Sequence, residues 1–163
     1  MQTLYTGGTK GTIHGWDITG VVNNERGVLK ERLVLKGHTD MVMDLKAIGN
    51  SNLLASARYK TGYFLKNGSL DSSIVLWDMG TNSVHMRLNG HIKGVFALAY
   101  APEQRLLFSA SFDRDVLVWN PMVETAVARL KGHHTSLIGI QTMEGTNQVI
   151  TADMDGWFKA WDT

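Results

Sequence analysis

The sequence predicts an all-β protein, and three observations support this fold class. Short apolar runs, such as Val95–Tyr100, are bounded by turn residues, as strands are. No stretch shows the 3.6-residue spacing of an amphipathic helix. The same pattern of residues also returns along the chain, because Trp119 and Trp161 are 42 residues apart, and so are His91 and His133.

The clearest unit is LNGHIKGVFALAYAPEQRLLFSASFDRDVLVWN, residues 88–120. Pro102 ends the first strand of this unit, because proline has no N–H to donate to a sheet. The polar run Asp113–Asp115 is a turn that precedes the last strand. The three strands predicted in the unit are residues 95–100, 106–111 and 116–119.

The next copy of the unit has the same internal spacing. His91 and Trp119 are 28 residues apart, and so are His133 and Trp161. In both copies an Asp stands six places before the Trp, and a Ser or Thr stands four places before that Asp. A repeat of about 40–45 residues that ends in Trp-Asp indicates a β-propeller blade. On these residues the chain resembles the WD-repeat family of β-propellers, and the resemblance covers nearly the whole sequence.

The predicted fold is a partial WD-repeat β-propeller of antiparallel strands, with three, four, four and three strands in successive blades. The first blade has no Gly-His pair before its strand at Thr3–Gly8, and the last ends at Asp162 without an outer strand. Open strand edges invite pairing with another chain. We therefore expect this chain to be part of a longer protein or of a complex. The alternatives are two copies that complete one another and an open arc of blades. The predicted blade pieces are residues 1–36, 37–89, 90–131 and 132–163.

The second blade contains extra residues, because His38 and Trp77 are 39 residues apart instead of 28. Removing residues 58–68, RYKTGYFLKNG, returns Ser56 to its place four residues before Asp71. An extended loop on one rim is the favoured interpretation. Two alternatives stay open. One is a gene-model artefact, and the other is a register swap in which residues 63–65 replace residues 53–55.

Each repeat contains Ser or Thr, His and Asp, which raises the question of hydrolysis. The family resemblance implies a structural relay instead, in which indole N–H donates to hydroxyl, hydroxyl to imidazole, and imidazole N–H to carboxylate. Buried Trp and Ser donors need partners, since each unpaired group costs about 1–3 kcal/mol. No oxyanion hole is signalled, and the set recurs in successive blades, so no catalytic residue is predicted. The predicted relays are His38–Ser56–Asp71–Trp77, His91–Ser109–Asp113–Trp119 and His133–Thr151–Asp155–Trp161.

Composition excludes several classes of function. The 163 residues carry 16 Lys+Arg and 15 Asp+Glu, so no nucleic-acid partner is expected. The absence of Cys excludes disulfides and thiol chemistry. Adjacent His133 and His134 point to opposite faces of a strand, and residues 153–155 lack a calcium-loop pattern, so neither metal nor cofactor is expected. No signal peptide or membrane-spanning run is evident, which predicts a cytoplasmic protein.

The resemblance further implies that partners dock at one rim of the propeller. In this sequence the corresponding places lie three and five residues after each Gly-His histidine and one residue before each turn Asp. Most are apolar and suit adaptable protein binding, although inner-strand packing is a competing interpretation. The predicted partner-binding residues are Met41, Met43, Leu70, Phe96, Phe112, Ile138 and Met154, and Gly94 and Ser136 occupy the remaining places.

The predicted function is a non-catalytic protein–protein interaction scaffold that uses this rim. A structural component of a cytoskeletal or ciliary axonemal assembly is the first alternative. FDRDVLVWNP, GHHTSLIGIQ and VITADMDGWFKAWD are similar to EF-hand-bearing WD-repeat proteins of ciliary axonemes, although the chain has no EF-hand loop. A hydrolase that uses a Ser–His–Asp set is the second alternative.

Overall fold

A computed structural model describes residues 2–22, 29–49, 51–59 and 72–163. These residues form fourteen strands and one short helix, α1 (Thr19–Val22). The strands are β1 (Thr3–Gly7), β2 (Thr12–Asp17), β3 (Lys30–Lys36), β4 (Val42–Ile48), β5 (Leu53–Arg58), β6 (Ile74–Asp78), β7 (Ser83–Leu88), β8 (Val95–Ala101), β9 (Leu106–Ser111), β10 (Val116–Trp119), β11 (Ala126–Leu130), β12 (Leu137–Thr142), β13 (Gln148–Asp153) and β14 (Phe158–Asp162).

The strands form four antiparallel sheets, and each strand pairs with its neighbour in sequence. Sheet 1 contains β1–β3, sheet 2 contains β4–β7, sheet 3 contains β8–β11 and sheet 4 contains β12–β14. This arrangement confirms the predicted all-β partial propeller with three, four, four and three strands. Within the described ranges, no helix is long and apolar enough to cross a membrane.

Adjacent sheets pack face to face through side chains that the repeat places at matching positions. Trp77 of sheet 2 packs with Ile13 and Leu35 of sheet 1. Trp119 of sheet 3 belongs to a buried cluster that includes Ile74 and Leu76 of sheet 2. Strands β6 and β10 are buried on both faces, which explains why they read as continuous apolar runs.

The inner strands of neighbouring sheets are joined by a side-chain bridge as well as by packing. Strand β8 contacts both β4 and β12. Asp44 in β4 accepts the backbone N–H of Leu98 in β8, with 2.7 Å between Oδ2 and N, and its Oδ1 accepts the N–H of Leu45 at 2.8 Å. The two strands belong to different sheets, so this carboxylate holds them together where no backbone ladder exists.

The antiparallel order brings two kinds of connection to the same end of sheets 2, 3 and 4. The inner strands begin at this end, and the turns between the second and third strands also lie there. His38, His91 and His133 precede the inner strands, so we call this end the histidine rim and the other end the opposite rim.

The structure corrects the start of the predicted insertion. Arg58 is the last residue of β5 and pairs with Val42 in β4, and the N–H of Tyr59 donates to the carbonyl of Met41 at 3.0 Å. Both residues therefore follow the register of the repeat and do not belong to an inserted loop. A register swap is also wrong, because Leu53–Arg58 itself forms the second strand of sheet 2. The rest of the predicted loop, from residue 60 onward, lies outside the described residues.

Candidate functional site

Sheet 3 contains the relay predicted for it. The indole Nε1 of Trp119 donates to Ser109 Oγ at 2.8 Å, and Ser109 Oγ lies 2.7 Å from Nε2 of His91. Nδ1 of His91 lies 2.8 Å from Oδ2 of Asp113. With Nδ1 carrying the proton toward the carboxylate, every polar atom of the relay has a partner. The relay joins the inner-strand loop, two strands and a turn.

Asp113 is held as a carboxylate by several donors. Its Oδ2 also accepts the backbone N–H of Ile92 at 3.0 Å, and its Oδ1 accepts that of Asp115 at 3.1 Å. Burial raises the pKa of Asp113, but the hydrogen bond from His91 and these N–H donors outweigh burial, so the pKa lies below its ordinary value of 3.8. The ionised carboxylate of Asp113 is thus a hydrogen-bond acceptor held in place by its donors.

Sheet 4 corrects one residue of the predicted relays. Trp161 Nε1 donates to Thr151 Oγ1 at 2.9 Å, and Thr151 Oγ1 lies 2.7 Å from His133 Nε2, as expected. The carboxylate on His133 Nδ1, however, belongs to Asp153, at 2.7 Å, so the prediction of Asp155 is wrong.

The strand geometry explains why Asp153 is the partner. Asp153 ends β13 and lies two residues after Thr151, so both side chains point to the face where His133 lies. In sheet 3 the corresponding residue is Ser111, whose hydroxyl donates to the carbonyl of Gly94 and leaves the imidazole to the turn carboxylate. The hydrogen bond from His133 lowers the pKa of Asp153 below its ordinary range, despite burial.

The relays of the first two sheets are described only in part. In sheet 2, Ser56 Oγ lies 2.6 Å from His38 Nε2 and accepts Trp77 Nε1 at 2.8 Å. Asp71, the predicted fourth member, lies outside the described residues. In sheet 1, Trp16 Nε1 donates to Thr6 Oγ1 at 2.8 Å, so the hydroxyl–indole pair recurs there as well.

The relay hydroxyls are poorly placed for nucleophilic attack. Ser109 is 0% exposed, and its Oγ already contacts His91 and Trp119. A nucleophile must meet its substrate, whereas this oxygen has no accessible surface. The relay can position strands and turns, but it is buried, so a substrate cannot reach its hydroxyl.

Every sheet that begins with an inner strand has a β-bulge at the same place. The register shifts within the first three residues of β4, β8 and β12. A bulge leaves one residue without a partner and re-aims its side chain. The bulged residues are Met43, Phe96 and Ile138, which are three of the predicted partner-binding residues.

The other predicted positions are joined in pairs by one repeated backbone hydrogen bond. In each case the donor N–H belongs to the residue 21 places after the relay histidine, and the acceptor carbonyl belongs to the residue three places after the same histidine. The pairs are Tyr59 to Met41, Phe112 to Gly94, and Met154 to Ser136, at 3.0, 3.0 and 2.9 Å. Tyr59 thus occupies the place predicted for Leu70, which itself lies outside the described residues.

Three of these side chains form an aromatic cluster that spans sheets 2 and 3. The ring centroids of Tyr59 and Phe112 are 5.1 Å apart, and those of Phe96 and Phe112 are 5.5 Å apart with nearly perpendicular planes. A Cβ at Gly94 would lie 2.5 Å from Cδ2 of Tyr59, so glycine is required for the ring to approach. We call Tyr59, Phe96 and Phe112 the aromatic cluster.

Exposure differs along the histidine rim. The rings of Phe96 and Phe112 are half-buried, as are Met41 and Met43, so part of the predicted set also packs against neighbours. Ile138 is 41% exposed and Met154 is 61% exposed. The histidine rim of sheets 2–4 thus carries the aromatic cluster and these exposed apolar side chains.

Two grooves lie at the opposite rim. Their volumes are about 620 and 750 Å³, and Tyr100, Pro102 and Gln104 line both. Among the described residues that line them, none belongs to a relay or to the predicted partner-binding set. The site predicted from the sequence is therefore at the other end of the sheets.

The comparisons with known proteins agree with this geometry. A family model described as "WD domain, G-beta repeat" matches residues 29–78 and 82–120. The chain belongs to the WD40 family. The matched residues of this WD40 chain include the aromatic cluster and the complete relay of sheet 3.

Three relatives are similar to this WD40 chain over most of its length. Cilia- and flagella-associated protein 337 B of Tetrahymena thermophila is 32% identical over 161 residues, which is 99% of the chain and 12% of that protein. Periodic tryptophan protein 2 of Arabidopsis thaliana is 26% identical over 119 residues, 72% of the chain and 13% of that protein. U3 snoRNP-associated protein-like EMB2271 of Arabidopsis thaliana is 28% identical over 146 residues, 89% of the chain and 30% of that protein. The chain spans less than a third of each relative's length.

Proposed function

We propose that this WD40 chain belongs to a non-catalytic scaffold that binds proteins through the histidine rim. The observation that carries this proposal is the repeated bulge, which aims Met43, Phe96 and Ile138 from the same position of three successive sheets. Bulges are concentrated at places where a side chain must be re-aimed. The three bulges therefore present three side chains at the same rim.

The chemistry of the rim supports a protein partner. Aromatic residues and Met are enriched in the buried centres of protein interfaces, and a few such residues carry most of the binding energy. In the aromatic cluster the ring of Phe112 contacts both Tyr59 and Phe96, with centroid distances of 5.1 and 5.5 Å. Ile138 and Met154 extend this apolar surface over sheet 4.

The buried relay argues against the hydrolase alternative. The Ser109 hydroxyl is inaccessible. Its oxygen accepts the indole N–H of Trp119, and its single proton is directed to Nε2 of His91. The proposal therefore assigns the relays to stability and the rim to recognition.

A structural role in a ciliary assembly is the second candidate. It is favoured by the similarity to Cilia- and flagella-associated protein 337 B over 99% of the chain. This role requires a protein located in the cytoplasm or cilium. Fluorescent tagging of the full-length protein in ciliated cells tests it, and exclusion of the tag from cilia would contradict it.

Affinity capture of the full-length protein tests the scaffold proposal. Ile138→Ser and Met154→Ser change exposed rim side chains, so the fold should persist. We expect each to weaken recovery of the bound proteins roughly tenfold, as for a hot-spot residue worth about 1.4 kcal/mol. Met122→Ser is the matched control, because Met122 is equally exposed but lies at the opposite rim. Unchanged recovery with both rim variants would overturn the proposal.

A further inference from the structure

The exposed charges of the chain are divided between the two ends of the sheets. At the histidine rim, cations lie in the turns, in the connections before the inner strands and at the end of β3. The exposed cations there are Lys10, Lys36, Lys93, Arg114 and Lys131. Asp155 is the exposed carboxylate in the same described connections. This end is therefore basic, although the whole chain has a net charge of only +1.

The opposite rim has the reverse balance. Its turns and strand ends expose the carboxylates of Glu103, Glu124, Glu144 and Asp162, whereas Lys30 and Arg105 are exposed cations there. The near-neutral chain therefore has two rims whose exposed residues carry opposite net charges. The whole-chain charge, on which the expectation about partners was based, says nothing about either end.

Most carboxylates at the histidine rim are already paired inside the fold. Asp113 and Asp153 accept from the relay histidines, and Asp115 lies 2.6 Å from Nη1 of Arg129. Within the described part of the chain, none of the five exposed cations takes part in an ion pair. Their charge is consequently available to a molecule that approaches this rim.

Two of the cations flank the aromatic cluster. Ser111 Oγ donates to the carbonyls of Lys93 and Gly94, at 3.1 and 2.9 Å, and the N–H of Arg114 donates to the carbonyl of Ser111 at 3.1 Å. Phe112 lies between Ser111 and Arg114 in this turn. These hydrogen bonds therefore hold the backbone of Lys93 and of Arg114 close to Phe112.

We propose that the histidine rim binds an acidic peptide segment that carries an aromatic or aliphatic anchor. The anchor packs on the aromatic cluster, and flanking Asp or Glu side chains face Lys93 and Arg114. This inference rests on the proposed function, and it adds the chemical class of the partner. Complementary charge chiefly steers association and selects among partners, while the apolar contact holds the complex.

A nucleic acid would also be attracted by cations, but the rim fits it less well. Phosphate contacts would leave the bulged Ile138 and the exposed Met154 uncovered, whereas a peptide offers apolar side chains that can pack on them. A nucleic-acid partner is therefore one of the outcomes that the experiment must distinguish.

Selection from a random peptide library displayed on phage, with the immobilised full-length protein as bait, tests the inference. We expect the selected peptides to combine one aromatic or aliphatic anchor with a net negative charge. Synthetic copies should bind about tenfold more weakly after Arg114→Glu or Lys93→Glu at low salt. High salt should weaken binding to the unmodified protein and reduce its difference from these variants, because salt screens the charges. Phe112→Ala should weaken them by at least as much.

Arg105→Glu is the matched control for Arg114→Glu. Both arginines are exposed and have positive φ, 57° and 76°, so the two substitutions make the same change in charge and backbone preference. Because Arg105 lies at the opposite rim, its substitution should leave the dissociation constant unchanged. Equal weakening by both variants would overturn the inference.

The remaining outcomes separate the inference from the proposed function. Selected peptides that lack negative charge but depend on Phe112 would overturn the acidic class and leave the rim as a protein-binding surface. Failure to select any peptide, together with an oligonucleotide that binds through Lys93 and Arg114, would overturn the inference in favour of nucleic acid. Failure to select any peptide, with protein capture unaffected by Ile138→Ser and Met154→Ser, would remove both proposals.

Discussion

Nδ1 of His133 lies 2.7 Å from Oδ2 of Asp153, a residue at the end of a strand. In the preceding sheet the carboxylate on the corresponding histidine, His91, comes from the following turn, where Asp113 lies. The relay therefore accepts a carboxylate from either of two backbone positions, provided that the oxygen reaches the same imidazole nitrogen. The two sheets share the contact between imidazole and carboxylate, although the acidic residue occupies a different position in each.

The first prediction separates the two aspartates of the last sheet. Asp153→Ala should lower the melting temperature, because it leaves the buried N–H of His133 without an acceptor. Asp155→Ala is the matched control, and it should have little effect since Asp155 is exposed and its side chain is outside the relay. Differential scanning fluorimetry gives both midpoints. A larger loss with Asp155→Ala would contradict the observed geometry.

The relay of sheet 3 should behave in the same way. Asp113→Ala removes the acceptor of the buried His91 N–H, and we expect a loss of about 1–3 kcal/mol in the free energy of unfolding. Urea titration of the purified protein measures this value. Unchanged unfolding together with loss of an enzymatic activity would reverse the assignment and make the relay catalytic.

Acid should destabilise the chain through both carboxylates. The pKa values of Asp113 and Asp153 lie below the ordinary 3.8 in the folded state, so the unfolded chain takes up protons first. Their contribution is fully present above pH about 4 and is lost as the pH falls through the folded pKa values. Melting temperatures across this range should fall less steeply for Asp113→Asn than for the unmodified chain. Parallel profiles would show that other groups govern acid unfolding.

Deletion of residues 60–70 should preserve the fold. The deletion joins Tyr59 to Asp71, as Phe112 is joined to Asp113, and keeps both Arg58 and Tyr59 in their observed places. Loop length itself changes the free energy of closure only weakly, so the stability should stay within about 1 kcal/mol. Deletion of residues 58–68 is the comparison, and it should weaken rim binding because it removes Tyr59. A severe loss of stability with the first deletion would show that residues 60–70 pack.

Chain 1–163 should associate with itself at an exposed strand edge. Strand β14 is an edge strand of sheet 4, and Phe158 and Trp157 beside its start are 71% and 69% exposed. An uncovered apolar edge favours pairing between chains, and a charge on the edge opposes it. Light scattering over a concentration series should therefore show less association for Phe158→Lys than for Met122→Lys, an exposed site on the opposite rim. A monodisperse monomer with one cooperative transition would refute the expectation.

Much of the fold could be predicted because residues with fixed partners recur at fixed spacings. Trp119 must give its N–H to a hydroxyl, and a paired strand brings Ser109 within reach, so sequence separation and geometry are locked together. The rim positions Met43, Phe96 and Ile138 could be located from the same spacings, since each follows its relay histidine by five residues, whereas their bulges became evident only in the structure.

Two parts of the site could not be predicted, for different physical reasons. Asp153 and Asp155 stand on either side of Met154, and only the direction of the side chain at the end of β13 decides between them. The inserted residues can be assigned as 58–68 or as 60–70, because removing either range leaves the same spacing between Ser56 and Asp71. Only the hydrogen bond of Tyr59 to Met41 places it in the rim.

The bridge from Asp44 to the N–H of Leu98 has a consequence for exchange with solvent. Strand β8 lies at the edge of its sheet, where amides that point away from the neighbouring strand usually lose their protons to deuterium oxide quickly. Leu98 is such an amide, but the carboxylate covers it. Its deuteration should be slow in the unmodified chain and fast after Asp44→Ala, so a single amide reports how tightly two neighbouring sheets are held together.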